Sequence, residues 1–157
     1  MTFFVMEQAA VLSRASLSES LNWLGDSAIE WLLPRAFELF YTNNEMYVLC
    51  EDIGRSHPPF IWNAERRSLI QAEIDAAMLH LYGLNREQVD WVLNSFTVLR
   101  KYEERDHGEF RTKRLVLIAY DAMAKAIASG TAYRTPLSPP PADPSLCHPQ
   151  SIGEPIQ

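Results

Sequence analysis

Residues 75–120 constrain the fold more than any other stretch of the sequence. An apolar stripe at helical spacing runs into this stretch and stops at Gly83, and glycine commonly ends helices. Asn85 with Gln88 three residues later is typical of a capping box at the start of the next helix. A charged segment then leads to a third apolar stripe, which stops at Gly130. The pattern predicts a mainly α fold, a small helical domain of about five helices.

Each predicted helix begins at a residue whose side chain can accept a hydrogen bond from a free backbone N–H. The expected starts are Asp26 or Ser27, Asn44, Asn63, Asn85 and Thr112. Pro34 lies inside the first of these helices, so that helix is expected to kink or to restart there. Residues 64–82 form the best helix and residues 113–129 the last, while residues 100–114 are expected to be a charged loop.

The two ends of the chain differ in composition from the part between them. Residues 1–12 are rich in Phe, Val and Leu and predict an orphan strand, without a partner strand nearby in sequence. From residue 131 onward, seven prolines predict a tail that is extended or disordered. The expected organisation is a helical domain over 1–130, with its helices within 26–130, followed by a proline-rich disordered tail over 131–157.

Charge and hydropathy limit the classes of function. The net charge of −6 argues against an independent nucleic-acid binder. Residues 100–114 depart from this balance, with six basic and four acidic side chains. No apolar run approaches the roughly 20 residues of a membrane span, and the N-terminus lacks the basic flank of a signal peptide. A cytoplasmic protein with no membrane partner is therefore expected.

The sequence contains no recognisable catalytic or metal-binding motif. Cys50 and Cys147 lie far apart, and none of the four histidines has a metal-ligand spacing. A phosphate loop, a dinucleotide fingerprint and a nucleophile elbow are all missing. We therefore expect no enzyme activity, no cofactor and no metal.

Residues 57–60, His-Pro-Pro-Phe, are similar to the catalytic loop of adenine-specific DNA methyltransferases, in which a polar residue and Pro-Pro precede an aromatic one. Those enzymes need a strand with a glycine-rich cofactor loop upstream, and the preceding residues contain none. The favoured interpretation is a rigid loop whose Phe60 and Trp62 dock on the helices.

Several segments in colinear order carry a resemblance to a known family. The most specific are Glu-Ile-Asp-Ala-Ala at 73–77 with His-Leu-Tyr-Gly-Leu at 80–84, and Gly-Glu-Phe-Arg-Thr-Lys at 108–113. Over roughly residues 3–149 the chain resembles the C-terminal region of large bacterial type IIG-like restriction-modification proteins, which contain an adenine-specific DNA methyltransferase. The catalytic residues of that family lie upstream of this region, so the resemblance implies a fragment lacking the catalytic domain.

The resemblance implies a non-catalytic helical module that supports DNA target recognition in phage defence. Its partner would be DNA in the full-length context, contacted through phosphates by the cations of the charged segment. Three of these cations lie near the start of the last predicted helix, where free N–H groups and the helix dipole also favour an anion. The expected phosphate contacts are Arg100, Lys101, Arg111, Lys113 and Arg114.

Two alternatives remain open at this point. The chain could be a protein-interaction or scaffold module that docks on a methyltransferase or restriction subunit in trans, using Phe3, Phe4, Trp23 and Trp31 as its exposed face. It could also be a non-functional gene remnant.

Overall fold

The computed structural model describes residues 11–46, 50–51 and 57–149 of the chain. The strand predicted at residues 1–12 falls outside them except for its last two residues, and so does the end of the predicted tail, residues 150–157. Of the short helix expected after Asn44, the described residues show a 3-10 turn at Asn44–Met46 and helical backbone at Cys50 and Glu51.

Helices dominate the described residues, and the predicted mainly α fold is confirmed. The α-helices are α1 (Arg14–Ser18), α2 (Ala28–Phe40), α3 (Ala64–Leu81), α4 (Arg86–Asn94), α5 (Thr97–His107) and α6 (Arg111–Ser129). Two short antiparallel strands, β1 (Ser20–Leu21) and β2 (Asp26–Ser27), form a hairpin ahead of α2. A second 3-10 turn lies at Pro144–Leu146.

Most helix starts follow the predicted caps. The side chains of Ser27 and Asn63 accept hydrogen bonds from the backbone of the first turns of α2 and α3. Asn85 and Gln88 form a complete capping box at the start of α4. Helix α2 continues through Pro34 as a single helix, so it does not restart there.

The charged loop predicted over residues 100–114 is wrong, because α5 and the start of α6 occupy most of it. Arg, Lys and Glu all favour helices, and Arg100 and Glu104 pair across one turn of α5, with 2.7 Å between Nε and Oε1. The helix ends at Gly108, whose φ of +74° is a left-handed conformation that glycine adopts without strain. Mixed charge thus marked an exposed helix rather than a loop.

The start of α6 also differs from the prediction that Thr112 caps it. The helix begins at Arg111, and no side chain caps it from the preceding position. Thr112 lies one residue inside the helix, and both its backbone N–H and its hydroxyl donate to the carboxylate of Glu103 on α5, at 2.8 and 2.6 Å. A carboxylate from the neighbouring helix therefore replaces the expected local cap.

The main core lies where α2, α3, α4 and α6 meet, with the closest packing between α3 and α6. Alanines on α3 allow this approach, because Ala72, Ala76 and Ala77 are all buried. The other buried members of the cluster are Leu24, Ala28, Trp31, Val89, Leu93, Val116, Ala119, Tyr120 and Met123. A second, aromatic cluster contains Phe37, Tyr41, Cys50 and Phe60.

Residues 131–149, here called the C-terminal strap, run along the helical body. Their proline content predicted an extended backbone, and outside the 3-10 turn at Pro144–Leu146 the strap contains no helix. The structure shows a packed segment, with Leu137 buried, in place of the disorder expected for these residues. The strap is ordered because its hydroxyls and backbone N–H groups reach carboxylates buried on α2 and α3. Such distant pairings leave no local signal in a sequence.

Candidate nucleic-acid interface

The five cations expected to contact phosphates lie on α5 and α6, which meet at the turn of residues 108–110. Arg100 and Lys101 are exposed on α5. Lys113 and Arg114 lie in the first turn of α6, whereas Arg111 reaches across to Glu65 at the start of α3.

Four of these five cations already have carboxylate partners. Arg100 pairs with Glu104 within α5. Lys113 donates to Asp90 and Asn94 of α4 at 2.8 and 2.9 Å. Arg114 pairs with Glu109 at 2.8 Å and Arg111 with Glu65. Lys101 has no ion pair with any described residue, so it is the cation most available to a phosphate.

A shallow depression of about 380 Å³ lies beside the first turns of α4 and α6. Three cations line it: Lys113, Arg114 and Arg86, the last of which the sequence reasoning missed. Arg86 is the first residue of α4, and its Nε donates to Asp121 of α6 at 2.8 Å. No local pattern marks it, because the fold alone brings the start of α4 beside the start of α6.

The electrostatics of this depression are balanced rather than strongly positive. Its three cations face three carboxylates, Asp90, Glu109 and Asp121. The hydrogen bond from Lys113 lowers the pKa of Asp90, and the hydrogen bond from Arg114 lowers the pKa of Glu109. These two carboxylates are therefore ionised at neutral pH and compete with an incoming phosphate for the same cations.

The N-terminus of α6 was expected to attract an anion, and a protein anion is already there. The carboxylate of Glu103 accepts the backbone N–H of Thr112 at 2.8 Å. A phosphate at this end of α6 would have to share the site with Glu103. The arrangement favours phosphate contact through side chains over contact through the helix end.

An exposed apolar surface lies next to these cations, on α4 and α5. Helix α5 buries none of its eleven residues. Five large apolar side chains, each 40–74% exposed, lie within twelve residues of the sequence, from the middle of α4 to the middle of α5. We call them the α4–α5 apolar surface: Trp91, Phe96, Val98, Leu99 and Tyr102. Trp91, the most exposed of them, borders an open depression of about 510 Å³ that Leu84 and Val92 also line.

Trp23 and Trp31, two members of the docking face expected from the sequence, do not belong to the α4–α5 apolar surface. Trp31 is 8% exposed and belongs to the main core, and Trp23 packs against that core, so the expectation that Trp31 is exposed is wrong. Phe3 and Phe4 fall outside the described residues. Trp31 is buried because it packs within the main core. Arg35, one turn later on α2, covers its ring further, with the guanidinium carbon 3.4 Å from the ring centroid.

The loop at residues 57–60 docks as expected through Phe60, which is 1% exposed. The ring of Phe60 packs edge-on against Phe37, and the hydroxyl of Tyr41 donates to the backbone carbonyl of His57 at 2.9 Å. Trp62 is not docked in this way: it is 63% exposed, with the guanidinium of Arg67 over its ring.

A cysteine–histidine contact in this region is weakly suited to chemistry. Cys147 of the strap lies 3.3 Å from Nδ1 of His57, but burial raises the pKa of the Cys147 thiol, which disfavours a thiolate. Within the described residues no group of three or more His, Cys, Asp or Glu side chains is placed to hold a metal ion.

Comparisons with protein-family models, with curated proteins and with solved structures found no match to this chain. Among the described residues, no helix has the length and apolar character needed to cross a membrane.

Proposed function

We propose that this chain is a non-catalytic helical module of a bacterial restriction-modification and adenine-specific DNA methyltransferase system, and that it supports DNA target recognition in the cytoplasm by holding the phosphate backbone. The resemblance over residues 3–149 supports the assignment of the chain to a restriction-modification system. The observation that carries the DNA contact is the convergence of Arg86, Lys113 and Arg114 on one depression. Lys101, which forms no ion pair within the described part of the chain, lies on the neighbouring helix.

The ion pairs around the depression allow such a contact because they are weak. The side chains of Asp90, Glu109 and Asp121 are 40–48% exposed, and exposed ion pairs contribute only about 0–1 kcal/mol. A DNA phosphate can therefore replace a carboxylate as the partner of Arg86 or Arg114 at little cost. Contacts of this kind position a protein on the duplex and do not read its sequence.

The test is binding of a fluorescent DNA duplex by the chain over a series of salt concentrations. Replacing Arg86, Lys113 and Arg114 together by Ala should weaken binding at low salt. It should also reduce the slope of log affinity against log salt, by about 0.9 for each phosphate that the variant no longer neutralises.

The matched control is Arg134→Ala, which removes an exposed positive charge from the strap, outside the depression. This variant should bind DNA as the unmodified chain does. Lack of any affinity at low salt for the unmodified chain would refute DNA binding by the chain alone. Equal weakening by Arg134→Ala would show a general charge effect instead of a site.

A second candidate is a docking module that binds a methyltransferase in trans, and the α4–α5 apolar surface favours it. Monomeric proteins seldom expose several large apolar side chains together unless that surface binds something. The test is co-purification of this chain with a co-expressed adenine-specific DNA methyltransferase. Replacing Trp91, Leu99 and Tyr102 by Ser should abolish retention, whereas Trp62→Ser, which changes another exposed tryptophan elsewhere, should leave it intact. Equal retention of both variants would exclude this surface as the docking site.

A further inference from the structure

The C-terminal strap binds the helical body as a peptide ligand binds a groove. Its first anchor is the carboxylate of Glu73 on α3, which is 2% exposed. The hydroxyls of Tyr133 and Thr135 both donate to Oε1 of Glu73, at 2.9 and 2.6 Å. The other oxygen of Glu73 accepts from Arg35 at 2.8 Å. Two strap hydroxyls thus complete a buried ion pair of the body.

The second anchor is Glu38 of α2, which is 6% exposed. Oε2 of Glu38 accepts the backbone N–H of Ala142 at 2.9 Å. Arg66 of α3 pairs with the same carboxylate and also donates to the backbone carbonyl of Pro140, at 3.1 Å. A carboxylate and a guanidinium of the body therefore hold the strap main chain on both its donor and its acceptor groups.

The far end of the strap is held by backbone pairing with residues 59–61. The N–H of Ile61 donates to the carbonyl of Leu146 at 2.8 Å, and the N–H of His148 donates to the carbonyl of Pro59 at 2.9 Å. Pairing of this kind is how extended peptides add to an open backbone edge.

Side chains of the strap alternate in the way expected of an extended ligand. Tyr133 and Thr135 point to the body and Leu137 is buried, whereas Arg134 and Pro136 between them are exposed. A period of two is the repeat of extended backbone. The groove therefore selects two hydroxyls and one apolar side chain at alternate positions.

The strap makes these contacts with the N-terminal half of the chain and not with α6, the helix that precedes it. Among the described residues, the hydrogen bonds that residues 133–148 make outside the strap all go to residues 23–73. The connection to α6 is a short exposed hinge of Gly130, Thr131 and Ala132. Gly130 has a φ of +66°, and a Cβ built on it would meet no neighbouring atom.

We propose that the groove under the strap is a peptide-binding site that accepts the strap of a second copy of this chain, so that two copies can exchange straps reciprocally. The groove itself specifies this occupant, because the strap of a second copy carries the same hydroxyl, apolar and backbone groups and meets the same partners on the helical body. None of the three hinge residues belongs to the main core, so extending the hinge costs chiefly the hydrogen bonds that Thr131 makes to Ala126 and Ser129 at the end of α6. In the unmodified chain the tether keeps the strap at a high effective concentration near its own groove, so the monomer predominates.

The sharpest test shortens the hinge of the full chain by deleting Thr131 and Ala132. The strap then falls about 7 Å short of Glu73 in its own body, and shortened hinges favour exchange between copies. Light scattering should give twice the mass of the unmodified chain. A matched chain with both residues changed to Gly keeps the hinge length and should remain monomeric.

The dimer must depend on the strap contacts if the proposal holds. Adding Tyr133→Phe and Thr135→Val to the shortened chain should weaken the dimer about tenfold or more, because both hydrogen bonds to Glu73 are lost, whereas adding Arg134→Ala should leave its dissociation constant unchanged. A shortened chain that is a folded monomer refutes the proposal. So does a dimer that is equally stable after removal of both hydroxyls.

A second measurement covers the case in which the shortened chain does not fold. A protease site is inserted after Gly130 in the full chain, which is folded and then cut. The released strap fragment should co-elute with the body and exchange with a labelled peptide of residues 131–149. The peptide carrying Thr135→Val should bind about tenfold more weakly or worse, because it loses a hydrogen bond to a charged acceptor, while Arg134→Ala should bind unchanged. Separate elution of the fragment, or equal binding of both peptides, contradicts the proposal.

Discussion

The buried ion pair between Arg35 and Glu73 offers the most quantitative test of the fold. Both residues are almost fully buried, at 5% and 2% exposure, and the pair links α2 to α3. Glu73→Gln keeps the shape of the side chain but removes its charge. Burial already lowers the pKa of Arg35 in spite of the neighbouring carboxylate, so its charge is costly in this position even when paired.

The expected loss of stability follows from what the substitution leaves behind. Removing one partner of a buried ion pair costs about 3–5 kcal/mol, because the other charge remains buried without compensation. For a chain of 157 residues this corresponds to a fall in Tm of roughly 6–20 °C. Replacing Arg35 by Met as well should recover part of the loss, with a coupling energy of about 0.5–3 kcal/mol between the two sites.

The assay is urea unfolding followed by circular dichroism, and α3 supplies a matched control. Glu65 lies on the same helix and also pairs with an arginine, Arg111, but its side chain is 80% exposed. Glu65→Gln should therefore cost about 0–1 kcal/mol. If Glu65→Gln and Glu73→Gln lost equal stability, the reasoning from burial would be refuted.

Two further predictions concern His80 and Glu103. Burial lowers the pKa of His80, whose ring stacks on Tyr120, below its usual 6.5. Because the unfolded chain then binds the proton more readily than the folded chain, the free energy of unfolding should have its full value above about pH 6.5. It should decrease as the pH falls through the lower pKa of the folded state. An NMR titration of His80 together with unfolding at several pH values checks this, and a titration midpoint above 6.5 would contradict it. Glu103→Ala should cost about 1–2 kcal/mol because Thr112 at the start of α6 loses its acceptor, whereas the neighbouring Glu104→Ala, on the exposed side of α5, should cost about 0.5 kcal/mol or less. Thermal unfolding compares the two, and equal losses would argue against the capping role.

What the sequence predicted correctly depended on residues close together along the chain. Asn63, the Asn85–Gln88 box and the glycine stops are local signals, and the structure places them where they were expected. The charged stretch around Arg100 was misread because a solvated helix and a solvated loop share the same composition, and only the four-residue spacing of its ion pair separates them.

What the sequence could not predict depended on pairings over long distances. Glu73 meets Arg35 from 38 residues away and Tyr133 from 60. No periodicity or motif in the sequence marks either pairing, so the strap was predicted to be a disordered tail. Arg86 joins Lys113 and Arg114 only after α4 has packed beside α6. Of the three cations that line this depression, the sequence therefore indicated Lys113 and Arg114 and missed Arg86.

The absence of buried side chains from α5 has a consequence for how the chain opens. An isolated helix of eleven residues is marginal in water, and α5 is held to the domain by its packing against α6 and by the two hydrogen bonds from Thr112 to Glu103. Its amides should exchange hydrogen through local opening, at a free energy well below that of global unfolding. Those of α3, buried between α2 and α6, should exchange only when the whole domain unfolds. Binding of a partner to α5 should therefore be detected first as slower hydrogen exchange of the backbone amides of this helix.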